Sequence, residues 1–292
     1  MRFQDILLSA GIALNDVNLM LHSPREREFA KVLPTLVHTR RAALDQYQST
    51  HSISAGNALK KGRPFVAVFV KVGDSRLVFA GLYRNMGWKD ALIADVVNAP
   101  EAKFLYQTYG IYGEDIAGDL SQKTAVFDLV LSETLHDLVG RLVISALLTP
   151  NYVRLAENFD CEVLTILEKG IAETPPPPWR TMTVSAAFLR AIPQGWAALL
   201  SQWRGVYLIT DMSDGAQYVG SAYGDDINLL GRWLAHVDGD VGQTAKLKAR
   251  NPINFQFSIL ERTSPDLPAA DVIALEHTWM RRLHTTEFGL NS

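Results

Sequence analysis

Apolar residues recur at helical spacing near the start of the chain, over Phe3 to Ala10 and again from Ser23 to Tyr47. Ser23-Pro24-Arg25-Glu26 supplies a start signal, because serine can cap a helix and the fixed φ of proline suits its first position. Pro34 is expected to break or kink the second of these helical segments. The period then changes. Phe65 to Val72 is a β-branched and aromatic run, Gly73-Asp74-Ser75 is a turn, and Arg76 to Tyr83 is a second such run, so the pair predicts a hairpin. Ala125 to Leu131, Arg141 to Ala146 and Glu162 to Leu167 are further strand candidates. About five strands with flanking helices predict a small curved sheet or a barrel.

Pro175-Pro176-Pro177-Pro178 interrupts this pattern. Such a run favours polyproline II at ~3.1 Å per residue and would space two bodies by about 12 Å. Val184 to Trp203 has apolar positions at helical spacing, but Pro193 and Gly195 divide it into two short helices. Beyond it, Gly205 to Ile209 and Gln217 to Ser221 predict two strands around a polar turn, Asp211 to Gly215. Asn228 to Val237 is helical. Phe255 to Glu261 alternates like a third strand, and Asp271 to Leu283 is a second helix. The expectation is an α+β chain of two domains. Residues 1–174 form a helix-plus-β-barrel-like domain and 175–201 a proline-rich linker with connecting helices. Residues 202–292 form a domain with a small three-stranded antiparallel sheet flanked by helices.

Composition changes this picture little. The chain is 48% hydrophobic and 20% charged, with a net charge of −3. The acidic excess lies beyond Ser201, and the basic clusters Arg40-Arg41, Lys60-Lys61-Arg63 and Lys246-Lys248-Arg250 are short. No apolar run reaches the ~20 residues that span a bilayer. The start lacks a signal-peptide h-region. The single cysteine, Cys161, reads as a small buried hydrophobe and offers neither a disulfide nor a zinc spacing. A cytoplasmic protein without a membrane segment is expected.

Four features of the C-terminal part belong together. Gly205-Val206-Tyr207 and Tyr218-Val219-Gly220-Ser221 lie on successive strands with a ten-residue gap between the tyrosines. Arg232 and His236 are four apart and share a helix face. Glu276 lies on the later helix. The chain ends Leu290-Asn291-Ser292. Each residue alone has a plainer reading as a strand aromatic or a solvated helix residue. In this order and spacing they resemble the signature of the GIY-YIG nuclease family, over about 90 residues. Val206 and Val219 replace isoleucines, keeping β-branched strand chemistry. The acidic pair Asp225-Asp226 before the Arg232 helix is a departure.

Cutting a phosphodiester needs an attacking water, stabilisation of charge on the phosphoryl oxygens and help for the leaving oxygen. The resemblance implies a DNA endonuclease with a single metal, Mg²⁺ or Mn²⁺, on Glu276. It implies that Arg232 holds the phosphate and that Tyr207 acts as general base or relay, helped by Arg232 or the metal or sharing the role with His236. Tyr218 would join the same cluster, and Asn291 would fix the geometry of the metal side. Gly220 is read as steric, keeping a side chain out of the phosphate path. His277 and His284 have no matching position.

In such proteins target choice generally comes from an attached domain, which makes residues 1–174 the candidate reader. Their helix-then-strands pattern is loosely similar to PUA/SRA barrels, which bind RNA or flipped modified bases. Tyr83, Trp88, Tyr106, Tyr109 and Tyr112 are aromatic side chains that could stack a base. A restriction-type enzyme, selecting a sequence or a modified base, is the first reading, with a homodimer as one route to double-strand cleavage. A repair or mobile-element nuclease and a DNA-binding protein with an inactive nuclease fold are the alternatives.

Overall fold

A computed structural model of the chain describes residues 1–112, 119–146, 151–224, 227–239 and 244–292. The chain divides into two compact units, Met1–Thr174 and Pro175–Ser292. Both are α+β. No described helix is long and apolar enough to cross a membrane.

The described elements of the first unit are α1 (Phe3–Ser9), β1 (Val17–His22), α2 (Arg27–Thr39), α3 (Arg41–Tyr47), α4 (Ile53–Leu59), β2 (Phe65–Gly73), β3 (Arg76–Leu92), α5 (Ile93–Asn98), α6 (Pro100–Tyr109), β4 (Lys123–Leu131), β5 (Leu142–Ser145), β6 (Val153–Leu155) and β7 (Glu162–Ile166). The strands form one mixed sheet in the order β6-β1-β2-β3-β5-β7, with β4 paired to β3. β1 runs parallel to β2, from Val17 opposite Phe65 to His22 opposite Val70. The hairpin β2-β3 forms as its turn residues predict. β3 is 17 residues long and serves two partners, β5 through Arg76–Val78 and β4 through Tyr83–Leu92.

Two points about this unit differ from the sequence reading. β1 was not anticipated: all six of its residues are buried, Asn18 and His22 among them, so it lacks the alternation of exposed and buried positions of a half-buried strand. Pro34 lies inside α2, which continues to Thr39; the helix ends at Arg40, with φ −151° and ψ 68°. The aromatic core is centred on Phe3, edge-on to Phe69 at 4.9 Å and tilted against Phe79 at 5.6 Å. Each such ring contributes roughly 1.5–3 kcal/mol by leaving water.

The second unit contains β8 (Thr183–Ser185), α7 (Ala186–Leu189), α8 (Gln194–Leu200), β9 (Arg204–Asp211), β10 (Gln217–Ala222), α9 (Leu229–Asp238), α10 (Ala245–Lys248), β11 (Phe255–Thr263) and α11 (Ala269–Leu283). Its antiparallel sheet has the order β10-β9-β11-β8. It therefore has a fourth strand beyond the three expected, because Thr183–Ser185 pairs with Gln256–Ser258. Met182, Val184, Leu189 and Leu200 join the same buried cluster as Tyr207, Trp233, Phe255 and Phe257. Residues read as connecting helices thus contribute a strand and two helices to this core. Asp225 and Asp226 lie outside the described residues.

Candidate active site

The tyrosine strands are locked by register. Tyr207 on β9 stands opposite Gly220 on β10, and Ile209 stands opposite Tyr218. Strand alternation places these four on one face of the sheet and Val206, Val219 and Ser221 on the other. Both motif glycines have steric causes. A Cβ on Gly205, at φ +142°, would collide with the Glu261 carbonyl beside the β11 bulge. A Cβ on Gly220 would come within 2.5 Å of the Tyr207 hydroxyl oxygen. Gly220 is therefore steric, but the group it makes room for is the Tyr207 ring.

α9 brings the other half of the cluster. Asn228 caps it by accepting from the Gly231 N–H at 2.8 Å, and Gly239 closes it in the left-handed conformation. Leu229, Trp233 and Val237 anchor the helix in the core. This phase turns Arg232 and His236 toward the tyrosines. The Tyr207 hydroxyl lies 2.6 Å from His236 Nε2. The Arg232 guanidinium acts electrostatically on the same hydroxyl. Which of the two groups donates across the Tyr207–His236 contact follows from the tautomer of the imidazole. The Tyr218 ring lies edge-on to His236 at 5.5 Å.

Burial sets the charges. It pushes the Tyr207 hydroxyl far above the ordinary phenol range, against the pull of Arg232. Burial also raises Tyr218, helped by the Glu276 carboxylate. His236 is lowered to about 3 by burial and then by Arg232, so its imidazole is neutral near pH 7. Glu276 on α11 is raised by burial, while the Ser221 hydroxyl donated to its Oε2 and the charges of His277 and Arg232 pull it back.

Asn291 is buried and both ends of its side-chain amide bond to β10. Its Oδ1 accepts from the Val219 N–H at 2.9 Å and its Nδ2 donates to the Val219 carbonyl at 2.8 Å. Leu290 is buried beside it, and its N–H donates to the Gln217 carbonyl. Asn291 thus acts on the strand that carries Tyr218, Gly220 and Ser221. Ser221 was missed as a site residue: its place after Gly220 was visible, but its partner lies on α11, 55 positions away. His284 pairs with Glu287 at 3.5 Å on the surface.

No protein-family model and no curated protein matches the chain. Among solved structures, it is similar to the catalytic domain of the intron endonuclease I-TevI, a mutant form, at 25% identity over 30% of this chain and 92% of that one, with a TM-score of 0.26. A second structure, the catalytic domain of the homing endonuclease I-TevI, matches at 24% identity over 30% of this chain and 95% of that one, with a TM-score of 0.24.

The donor chemistry around Glu276 can be tested against a divalent ion. Among the described residues there is no group of three or more His, Cys, Asp or Glu able to enclose a metal. Glu276 is instead a single hard oxygen donor beside a hydroxyl. That set fits Mg²⁺ or Mn²⁺ kept largely hydrated and completed by a substrate phosphate, since Mg²⁺ is often held by one or two carboxylates.

Proposed function

We propose that this chain is a metal-dependent DNA endonuclease of restriction type, hydrolysing phosphodiesters at the Tyr207 site, with the first unit choosing the target. The observation that carries the reading is the Tyr207 hydroxyl set between His236 Nε2 at 2.6 Å and Arg232, with Glu276 in the same electrostatic neighbourhood.

The charges favour a relay over a standing phenolate. Tyr207 is held protonated by burial and His236 is a neutral, weak base. Neither state needs to invert before the reaction. As water attacks phosphorus, its proton passes to the Tyr207 oxygen while the Tyr207 proton passes to His236 Nε2. The bond from phosphorus to the 3′ oxygen breaks, leaving a 5′ phosphate. Arg232 holds the phosphoryl oxygens by charged hydrogen bonds, and Tyr218 packs His236 in place. A divalent ion on Glu276, when bound, supplies positive charge for the leaving oxygen. Ser221 orients the carboxylate, and Asn291 fixes the strand beneath it.

The test is cleavage of a panel of DNA with Mg²⁺ or Mn²⁺: plasmid, unmodified duplex, duplex carrying modified bases, and branched DNA. The parent should cut at least one substrate, and Glu276→Gln should cut none while still binding DNA. A preference for modified or specific-sequence duplex supports the restriction reading; preference for branched DNA favours the repair alternative. A parent inert on the whole panel with either metal would remove the nuclease assignment.

A further inference from the structure

The carboxylate that the proposed reaction needs is carried by α11, and apolar burial holds that helix weakly. Of its fifteen residues only Val272 is fully buried, and no side chain caps its start at Pro268. Glu276 and Trp279 are half-buried. Apolar contact is non-directional, so a helix held in this way can turn about its axis at small cost. Hydrogen bonds have a preferred direction and set the rotation instead.

Among the described residues, two side-chain hydrogen bonds tie α11 to the sheet. Ser221 on β10 donates to Glu276 Oε2. Trp279 Nε1 donates to Glu261 Oε2 on β11 at 2.9 Å. Glu276 and Trp279 are three apart and share a helix face. Ser221 and Glu261 both stand opposite Val206 of β9, one from each side, so they project from the same face of the sheet. One bond would leave the helix a pivot; two, at the ends of a cross-strand row, fix it against rotation.

The Glu261 end depends on a local irregularity. Ile259 stands opposite Tyr207, so regular alternation would put Glu261, two residues on, on the tyrosine face. The bulge between them turns Glu261 to the α11 face instead. Gly205 makes room for that bulge, since a Cβ there would meet the Glu261 carbonyl oxygen at 2.0 Å. On the helix side, the Arg282 guanidinium lies over the Trp279 ring, 4.3 Å from its centroid, and holds the plane of the indole.

We propose that Glu261 and Trp279 are positioning residues for the metal carboxylate: their hydrogen bond sets the rotation of α11 and so holds Glu276 where it meets Ser221 and a hydrated divalent ion. This rests on the nuclease reading of the Tyr207 site and adds to it the pair that aims its metal ligand. Partners one bond removed from a metal ligand control metal affinity by about 10- to 100-fold. A pair acting through helix rotation should move the metal dependence and leave the rate at saturating metal little changed.

The experiment uses the full chain and two readouts. Mn²⁺ binding without DNA is followed by electron paramagnetic resonance, and single-turnover cleavage of DNA that the parent cuts is measured against Mn²⁺ concentration. Trp279→Phe keeps an aromatic ring under Arg282 but removes the N–H donor. Glu261→Ala removes the acceptor, and Glu261→Gln keeps an acceptor oxygen without the charge. Trp279→Phe and Glu261→Ala should each weaken Mn²⁺ binding about tenfold and raise the metal concentration for half-maximal rate by the same factor. Glu261→Gln should keep the parent's values. The double variant, Trp279→Phe with Glu261→Ala, should be no weaker than either single one, because the same bond is lost in each. Trp279→Phe and Glu261→Gln, both conservative, decide the matter should Glu261→Ala fail to fold. Lower thermal midpoints with unchanged Mn²⁺ affinity, in a parent that binds Mn²⁺ and cuts DNA, would overturn the pair and leave the nuclease reading standing. Cleavage lost in Glu261→Gln and intact in Trp279→Phe would also overturn it and make the Glu261 charge a direct participant. A parent that neither binds Mn²⁺ nor cuts DNA would remove this inference together with the nuclease reading.

Discussion

Each unit holds a tyrosine hydrogen-bonded to a neutral histidine, and the two pairs differ in what surrounds them. Tyr207 and His236 are 2.6 Å apart, fully packed, and share their neighbourhood with Arg232 and Glu276. Tyr152 and His51 are 3.1 Å apart on the wall of an open cavity, among aromatic rings. The first pair has a cation and a carboxylate beside it, the charges that the proposed phosphate and metal would need. The second is surrounded by aromatic rings. The same two side chains thus stand in different electrostatic settings.

The sharpest break in that comparison is at the carboxylate. Glu276→Gln keeps the shape and hydrogen-bonding capacity toward Ser221 but removes the charge. Cleavage should fall by at least about 10³-fold, since metal charge stabilisation is worth several kcal/mol, while affinity for DNA in electrophoretic shift stays within about threefold. Wild-type rates from this variant would remove Glu276 from the site. Next in size is Tyr207→Phe, which leaves the ring packed beneath Gly220 and deletes only the relay oxygen. Its single-turnover rate should drop about 10²–10⁴-fold, the usual range for a lost acid–base group, while the thermal midpoint falls by no more than the loss of one buried hydrogen bond, about 1–3 kcal/mol.

Acid should separate the units. His22, His51 and His236 are buried neutral at about 3, 4 and 3, below their unfolded value of 6.5. The unfolded chain therefore binds more protons than the folded one below pH 6.5. Stability is flat in these groups above that point and is lost as pH falls through it toward 4. At pH 5 each imidazole should cost about 2 kcal/mol. The first unit contains two of these, with His38 also lowered by burial, and the second contains one. Five of the six tryptophans, Trp179, Trp196, Trp203, Trp233 and Trp279, are in the second unit. Between pH 7 and 5 the urea midpoint seen by tryptophan fluorescence should move less than the midpoint seen by far-ultraviolet circular dichroism, to which both units contribute. Equal shifts would show that the cavity histidines are protonated freely in the folded state.

The two clusters were unequally legible in the sequence. Tyr207, Gly220, Arg232 and His236 lie on adjacent strands and the next helix, so residue spacing nearly determines their geometry. Asn291 was legible as a position but not as a role, because its bonds to the Val219 backbone depend on where the chain end returns. The cavity offered no such spacing. His22, Tyr47, His51 and Tyr152 meet through a parallel strand and a connection that closes across the sheet. The aromatic residues singled out instead are placed elsewhere: Tyr83 is buried against Arg41 and Asp45, Tyr112 donates to the Gln46 carbonyl, and Trp88 lies under Lys60. Their sequence signal was composition alone, which says nothing of where a ring points.

Asn291→Ala tests the chain end. It removes two hydrogen bonds to β10 and should cost about 1–3 kcal/mol, seen as a lower tryptophan midpoint. Cleavage should fall about tenfold with the metal concentration for half-maximal rate unchanged, as expected if the residue positions a strand and does not touch the ion. A shift in metal dependence would return Asn291 to the metal side.

The smallest effect is expected at Ser221, and its sign is specific. The Ser221 hydroxyl donates to Glu276 and is one of the groups that hold its raised carboxyl down. In Ser221→Ala that donor is lost, so Glu276 should titrate at still higher pH and be less ionised on the acid side. At the alkaline end of the range the two proteins should differ least, by only about two- to threefold, the loss of one orienting hydrogen bond. As pH falls, the variant should lose rate before the parent does, and excess Mg²⁺ should restore it because metal binding competes with the proton. Ser221→Thr keeps a hydroxyl and should follow the parent profile. Measuring single-turnover rate against pH at two Mg²⁺ concentrations decides the matter: a parallel drop at every pH, unresponsive to metal, would mean that Ser221 only packs α11 against the sheet.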